Sequence, residues 1–242
     1  MENTRTIDLN ADLGEGFPWD EALLDRVTSA SVSCGFHAGD RETILATLRA
    51  AKARGVDVGA HPGFADREHF GRREQAIDAA EAEALVVEQV ESLASLAAEV
   101  GIPLRFLKPH GALYNQAQRD PAVAAGVVAA AARLGLPIFG QPNSCVAAEC
   151  RRVGLRFVAE GSPDRRYLDD GRLAPRSEPR ATLDDPADVL AQLDRLLRPD
   201  LGLATLCLHG DHPASARLAD LLREALDRDS IAVENVLSSL SL

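Results

Sequence analysis

Six short segments of this sequence concentrate the side chains that can move protons, hold cations or grip anions. The first is Asp8-Leu-Asn10-Ala-Asp12-Leu-Gly-Glu15. In an extended strand its polar residues Asp8, Asn10 and Asp12 share one face. Buried there they need partners, because an unpaired carboxylate away from water is costly. A structural polar network and a site for substrate, metal or proton transfer both satisfy that need. The second and third segments, Cys34-Gly-Phe-His37-Ala-Gly-Asp40 and Gly59-Ala-His61-Pro-Gly-Phe, set a histidine among glycines. Neutral imidazole serves there as general base or metal ligand, and the glycines suit close backbone approach or positive φ. Arg72 and Arg73 follow; an arginine pair either grips a carboxylate or phosphate or is simply solvated.

In the fourth segment, Lys108-Pro-His110-Gly-Ala-Leu-Tyr114-Asn115, a lysine closing a buried strand must find a counter-charge. His110 stands beside it, and Tyr114 and Asn115 either orient a substrate or hold the loop. The fifth, Glu160-Gly-Ser-Pro-Asp164-Arg165, carries both charge signs. The sixth, Leu208-His209-Gly-Asp211-His212, offers a ligand or acid–base pair. Asp40 equally suits a helix cap, and His69 reads as surface. Cys34 reads as packing rather than as a nucleophile, and Cys145, Cys150 and Cys207 read as packing too.

Each segment directly follows a strand-like run. Those runs are Thr6 to Asn10, Ala30 to Cys34, Val56 to Ala60, Leu104 to Lys108, Leu136 to Gly140, Leu155 to Glu160 and Ala204 to Leu208. The second is the weakest, being poor in large β-formers. Between them lie helical patterns with their own punctuation. Asp40 and Gly55 bracket one, Asp78 with Glu81 and Gly101 a longer one, and Ser144 and Gly154 a short one. Asp120-Pro121, Asp185-Pro186 and, with a poorer cap, His212-Pro213 read as starts with proline at the first helical position; Asp20 opens a short helix. Strands alternating with helices predict a parallel α/β sheet, and seven of them predict a barrel whose carboxyl ends share one rim. The aperiodic stretch from Ser162 to Pro179 reads as a functional loop.

At 242 residues with no linker or repeat, the chain reads as one domain spanning residues 1–242. A net charge of -11 argues against nucleic acid and anionic membrane as partners. Four cysteines without a CxxC pair, and no basic-then-apolar leader, fit a cytoplasmic protein. The sequence has no Gly-Lys-Ser/Thr phosphate loop, no Gly-x-Ser-x-Gly elbow and no dinucleotide fingerprint, which disfavours serine-nucleophile and nicotinamide chemistry.

Taken in order, IDLNADLGE, CGFHAGD, GAHPGF, FGRR, KPHGALYN, DRRYLDDG and LHGD resemble the LamB/YcsF family, described as the A subunit of bacterial 5-oxoprolinase. The resemblance spans Ile7 to His212. It implies an irregular seven-stranded (β/α) barrel akin to glycoside hydrolases and deacetylases. It also implies ATP-dependent opening of 5-oxoproline to glutamate, with subunits B and C as partners and homo-oligomerisation open. Under it, Asp12, His61, Lys108, His110 and Glu160 are the catalytic candidates, with magnesium accompanying ATP. Asn10, Glu15, His37, Arg72, Tyr114, Asn115, Asp164, Arg165, His209 and Asp211 are the substrate-binding ones. The sequence departs from the family pattern at Ala11, in a shortened Gly16–Asp20 loop and at Arg180. Two alternatives keep the same rim: a stand-alone metal-dependent deacetylase or amidohydrolase with Asp12, His37, His61 and His209 as ligands, or a scaffold whose partners hold the active site.

Overall fold

The structure is a computed structural model that describes residues 5–176 and 178–237. Seven parallel strands close into a barrel: β1 (Thr6–Leu13), β2 (Ser29–Ser33), β3 (Asp57–His61), β4 (Leu104–Leu107), β5 (Ile138–Gly140), β6 (Phe157–Gly161) and β7 (Thr205–His209). They pair in sequence order, and β1 lies between β7 and β2 to complete the ring. An eighth, two-residue strand, β8 (Ala232–Val233), extends the sheet beside the start of β1. It had no signal in the sequence, whose stretch from Ile231 to Leu242 is only mildly apolar, and residues 238–242 lie outside the described residues.

The helices are α1 (Asp20–Leu24), α2 (Arg41–Arg54), α3 (Ala79–Val100), α4 (Gly111–Arg119), α5 (Pro121–Leu134), α6 (Cys145–Val153), α7 (Pro186–Leu196) and α8 (Ser215–Arg228). Most stop and start where the sequence punctuates them. Asp40 accepts from the Thr43 N–H, Asp78 and Glu81 form a reciprocal capping box, and Gly55, Gly101, Gly135 and Gly154 take the left-handed closing position.

Two expectations need correction. The segment after β4 is not a loop: Gly111 begins α4, with His110 at its N-cap, so Tyr114 and Asn115 ride on a helix. The His212-Pro213 pair does not start α8, which begins two residues later with Ala214 at the N-cap; the His212 ring instead accepts from the Ala214 N–H. Asp20 begins α1 as expected, and its carboxylate accepts from the Gly14 N–H at 2.7 Å and the Thr47 hydroxyl at 2.9 Å.

Alternation along β1 separates the two environments of the barrel wall. Ile7, Leu9, Ala11 and Leu13 face the helices in a continuous apolar shell, while Asp8, Asn10 and Asp12 fill the lumen. The weak β2 signal has the same cause. Ser29, Ser31 and Ser33 alternate with Ala30 and Val32, and small polar side chains are what a lumen already holding Asp, Asn, Glu and Lys leaves room for. Gly39 shows how tightly the rim is drawn: its φ is 68°, and a Cβ there would stand 2.1 Å from the Gly14 carbonyl oxygen.

Candidate active site at the barrel mouth

The lumen is layered by register. Asp8 lies opposite Thr205, Asn10 opposite Cys207, and Asp12 opposite His209. The lowest layer is hydroxylic: Thr28, Ser29 and Thr205 donate to the Asp8 carboxylate at 2.5–2.8 Å. The middle layer is carboxamide. The Asn10 amide donates to Thr205 Oγ1 at 2.7 Å and to Glu160 Oε1 at 3.1 Å. The top layer is ionic and opens on the mouth.

Lys108 anchors that layer. Its Nζ is 2.7 Å from Asp12 Oδ1, 3.2 Å from Glu160 Oε1 and 2.8 Å from Cys207 Sγ. Only 3% of the residue is exposed, so the counter-charge demanded by its position comes from strands β1 and β6. Burial works against the ammonium, but Asp12, Cys207 and Glu160 together outweigh it and Lys108 stays charged, its pKa well above the ordinary value. Burial likewise pushes the Asp12 carboxyl up, and His61 and Lys108 together hold it well below the usual range. Tyr114, one turn into α4, donates to the other Glu160 oxygen at 3.1 Å. Burial and that carboxylate keep its phenol protonated.

Beside Lys108 four further groups converge. His61 Nδ1 lies 2.8 Å from the Lys108 carbonyl and His110 Nε2 lies 2.9 Å from the Phe70 carbonyl, so each of those nitrogens carries the proton. The remaining lone pairs, His61 Nε2 and His110 Nδ1, face each other at 3.0 Å. Glu15 Oε1 joins them at 3.8 and 3.3 Å, and His37 Nε2 is 3.3 Å from the same oxygen. Burial lowers the His110 pKa, and burial together with His110 lowers that of His37 to about 4, which keeps the His37 ring neutral at pH 7. Acceptors alone cannot meet at such distances; the cluster is complete with a cation at its centre, a proton or a metal ion. Metal–nitrogen bonds of about 2.0–2.1 Å in a tetrahedron place ligand atoms roughly 3.3 Å apart, and the spacings here bracket that length. The residues therefore fit a metal as Glu15, His37, His61 and His110. This set shares only His37 and His61 with the one drawn from the sequence; Asp12 and His209 fall with Cys207 in a second such group, each with a further partner, Lys108 for Asp12 and Asp164 for His209.

His209 is held differently. Asp164 accepts from its backbone N–H at 2.8 Å and from Nδ1 at 3.0 Å, which fixes the proton on Nδ1 and turns Nε2 toward Asp12 Oδ2 at 3.9 Å. Burial raises the Asp164 carboxyl, and His209 more than reverses that. Arg165 lines the mouth, but its guanidinium is engaged there, donating to the carbonyls of Ala174 and Ala181. Burial lowers its pKa to about 10. Arg72, also expected to grip an anion, pairs with Asp211, and Arg176 from the long loop pairs with the same carboxylate at 2.9 Å. Arg73 turns outward to Asp66. Asn115 is half-buried and lines the cavity of about 660 Å³ that this mouth encloses.

Cys207, expected to pack in the core, lies instead in the lumen against Lys108; the alternation Thr205, Cys207, His209 carries that signal. Arg176 has none in the sequence, because the aperiodic loop gives no direction to its side chains. Cys34 is buried in the core, which pushes its thiol up to about 12.

A closed parallel barrel with a buried lysine, paired carboxylates and histidines at the carboxyl ends of its strands defines a protein of the α/β-barrel class. The family model of the LamB/YcsF family matches residues 7–241, and the chain belongs to that family. It is 44% identical to the 5-oxoprolinase A subunit of Methylococcus capsulatus, over 95% of both chains. A lactam utilization protein from Thermus thermophilus superposes with a TM-score of 0.83 at 37% identity, covering 95% of this chain and 99% of that one. A T48 deacetylase shares the fold alone, at a TM-score of 0.54 and 17% identity over 98% of this chain and 92% of that one. Among the described residues no helix is long and apolar enough to cross a membrane.

Proposed function

We propose that this chain is the lactam-binding and ring-opening component of a cytoplasmic, ATP-dependent 5-oxoprolinase that works with subunits B and C. The supporting observation is the buried Lys108 ammonium between Asp12 and Glu160, faced across the mouth by a histidine whose proton position is fixed by Asp164. A five-membered lactam resists hydrolysis until its oxygen is activated. Transfer of a phosphoryl group from ATP to that oxygen makes the ring carbon electrophilic. One water opens the ring there, and another ends on phosphate. Lys108 stabilises the negative charge that gathers on oxygen. His209 Nε2 takes a proton from the attacking water, and the His61–His110 pair returns one to the departing ring nitrogen. Tyr114 and Asn10 hold Glu160 in place. With no phosphate loop in the chain, magnesium-bound ATP is held by scattered rim cations or by the partner subunits.

The Glu15 cluster supports a second reading, ATP-independent hydrolysis by a metal-dependent amidohydrolase. A metal bound there would supply a Lewis acid for the amide oxygen.

A coupled assay separates these readings. The first expects ADP and glutamate to be released from 5-oxoproline only when subunits B and C are added. It also expects His61→Ala and Lys108→Ala to abolish glutamate while assembly persists. Turnover without ATP, together with stoichiometric zinc or manganese, supports the second reading. Near-normal turnover in both variants shows the chain to be a scaffold.

A further inference from the structure

A larger cavity of about 910 Å³ adjoins the mouth, sharing Gln141, Glu160, Leu168 and Arg172 with it. Nothing in the reaction above uses it. Its inner wall is built from the last turn of α4, the end of β5 and the start of α6, which contribute Gln118, Gln141 and Ser144. Gln118 and Gln141 are each only 6% exposed, yet neither end of the Gln118 amide has a partner, nor has the Gln141 amide nitrogen. Three unpaired polar atoms at one wall are a standing cost that leucine or methionine would not incur. Gly140 lies against that wall: a Cβ there would be in ordinary contact with the two Gln118 amide atoms, at 3.4 and 3.5 Å, and tight only against the Phe157 ring, at 3.1 Å. Just beyond, Asn143 takes a left-handed φ of 58° and leads into Ser144, which caps α6. Ser144 lines the cavity and thereby brings the N-terminus of that helix to its edge, with Arg166 and Arg172 on the outer loop.

We propose that this chamber is a second ligand site. It reads a planar edge with a donor next to an acceptor and binds an attached anionic group at the α6 N-terminus. The Gln118 carboxamide pairs with such an edge through two parallel hydrogen bonds, as glutamine pairs with adenine. The N–C=O edge of a cyclic amide carrying a carboxylate has this chemistry, and so has the edge of a purine carrying phosphates. The inference rests on the proposed function for its two probes, 5-oxo-L-proline and the magnesium complex of a non-hydrolysable ATP analogue. Its structural basis is independent of that reading.

The test is calorimetric binding of each probe separately to the full chain, to Gln118→Met and to Gln141→Met. One probe is expected to bind the wild type, and Gln118→Met to weaken it at least tenfold, about 1.4 kcal/mol, without lowering the thermal midpoint; Gln141→Met acts in the same direction. Which probe is affected identifies the source of the edge. The proposal is overturned if neither probe binds the wild type, or if both variants bind as the wild type does. A complex that makes no glutamate but whose chain loses probe affinity in Gln118→Met would refute the proposed function and leave the chamber standing.

Discussion

Asp8 and Asp12 lie on one strand, on one face, four residues apart and both buried, yet they are opposite in character. Burial raises both carboxyls. Around Asp8 only hydroxyls answer it, and the carboxyl ends at about 6. Around Asp12 His61 and the Lys108 ammonium answer it, and the carboxyl ends well below the usual range. The same residue type is therefore a neutralisable structural group at the base of the barrel and a permanent anion at its mouth. Partner chemistry decides which, since depth of burial is shared.

The largest expected effect is at Lys108. Lys108→Met leaves Asp12 and Glu160 buried without their cation. It should destabilise the fold by about 3–5 kcal/mol and cut turnover in the reconstituted complex by roughly 10³-fold. Urea unfolding and glutamate release measure the two losses. Retention of both would mean that the two ends of the barrel do not differ. Next is His209→Gln, expected to lower kcat about 10²–10⁴-fold with a smaller loss of stability than Lys108→Met, since Asp164 keeps the backbone N–H of residue 209. A loss confined to KM would reassign His209 to binding.

The base of the barrel is read by pH. Asp8 is raised above its unfolded value of about 3.9, so between about pH 4 and 6 the folded state keeps a proton that the unfolded chain releases. Stability therefore falls as pH rises through that window, by roughly 3 kcal/mol in total. Asp12, Glu15 and Asp164 act in the opposite sense: what they contribute is complete above about pH 4 and is lost as pH falls below it. Asp8→Asn should remove the fall between about pH 4 and 6, and an unaltered pH profile in unfolding experiments would contradict the assignment. The smallest effect is at Cys34: with its thiol pushed up to about 12, Cys34→Ala should change turnover less than about twofold, and iodoacetamide at about pH 8 should not inactivate the native protein. Inactivation through Cys34 would reveal a reactive thiol at the rim.

The same contrast explains what the sequence disclosed. Alternation in Asp8-Leu-Asn10-Ala-Asp12 is local, so the lumen face of β1 and the ring of strand ends were legible. Caps such as Asp40, Asp78 and Ser144 were legible for the same reason. Helix α4 was hidden because proline and glycine at its start read as a turn and its polar face reads as a loop. The choice of partners was hidden as well. Nothing in one dimension says that Asp12 pairs with Lys108 while Glu15 gathers three imidazoles, that Arg72 is answered by Asp211, or that Cys207 rests on an ammonium. Most of those contacts join residues far apart along the chain and are decided by barrel closure.

The central claim is that chemistry belongs to the ionic layer at the mouth and structure to the hydroxylic layer below it. Glutamate release from 5-oxoproline, measured in the same reconstituted complex for His61→Gln and Asp8→Asn, tests it directly. The account expects His61→Gln to lose at least about 10²-fold while Asp8→Asn stays within about tenfold of the wild type. Equal losses in the two variants, or a greater loss in Asp8→Asn, would contradict it.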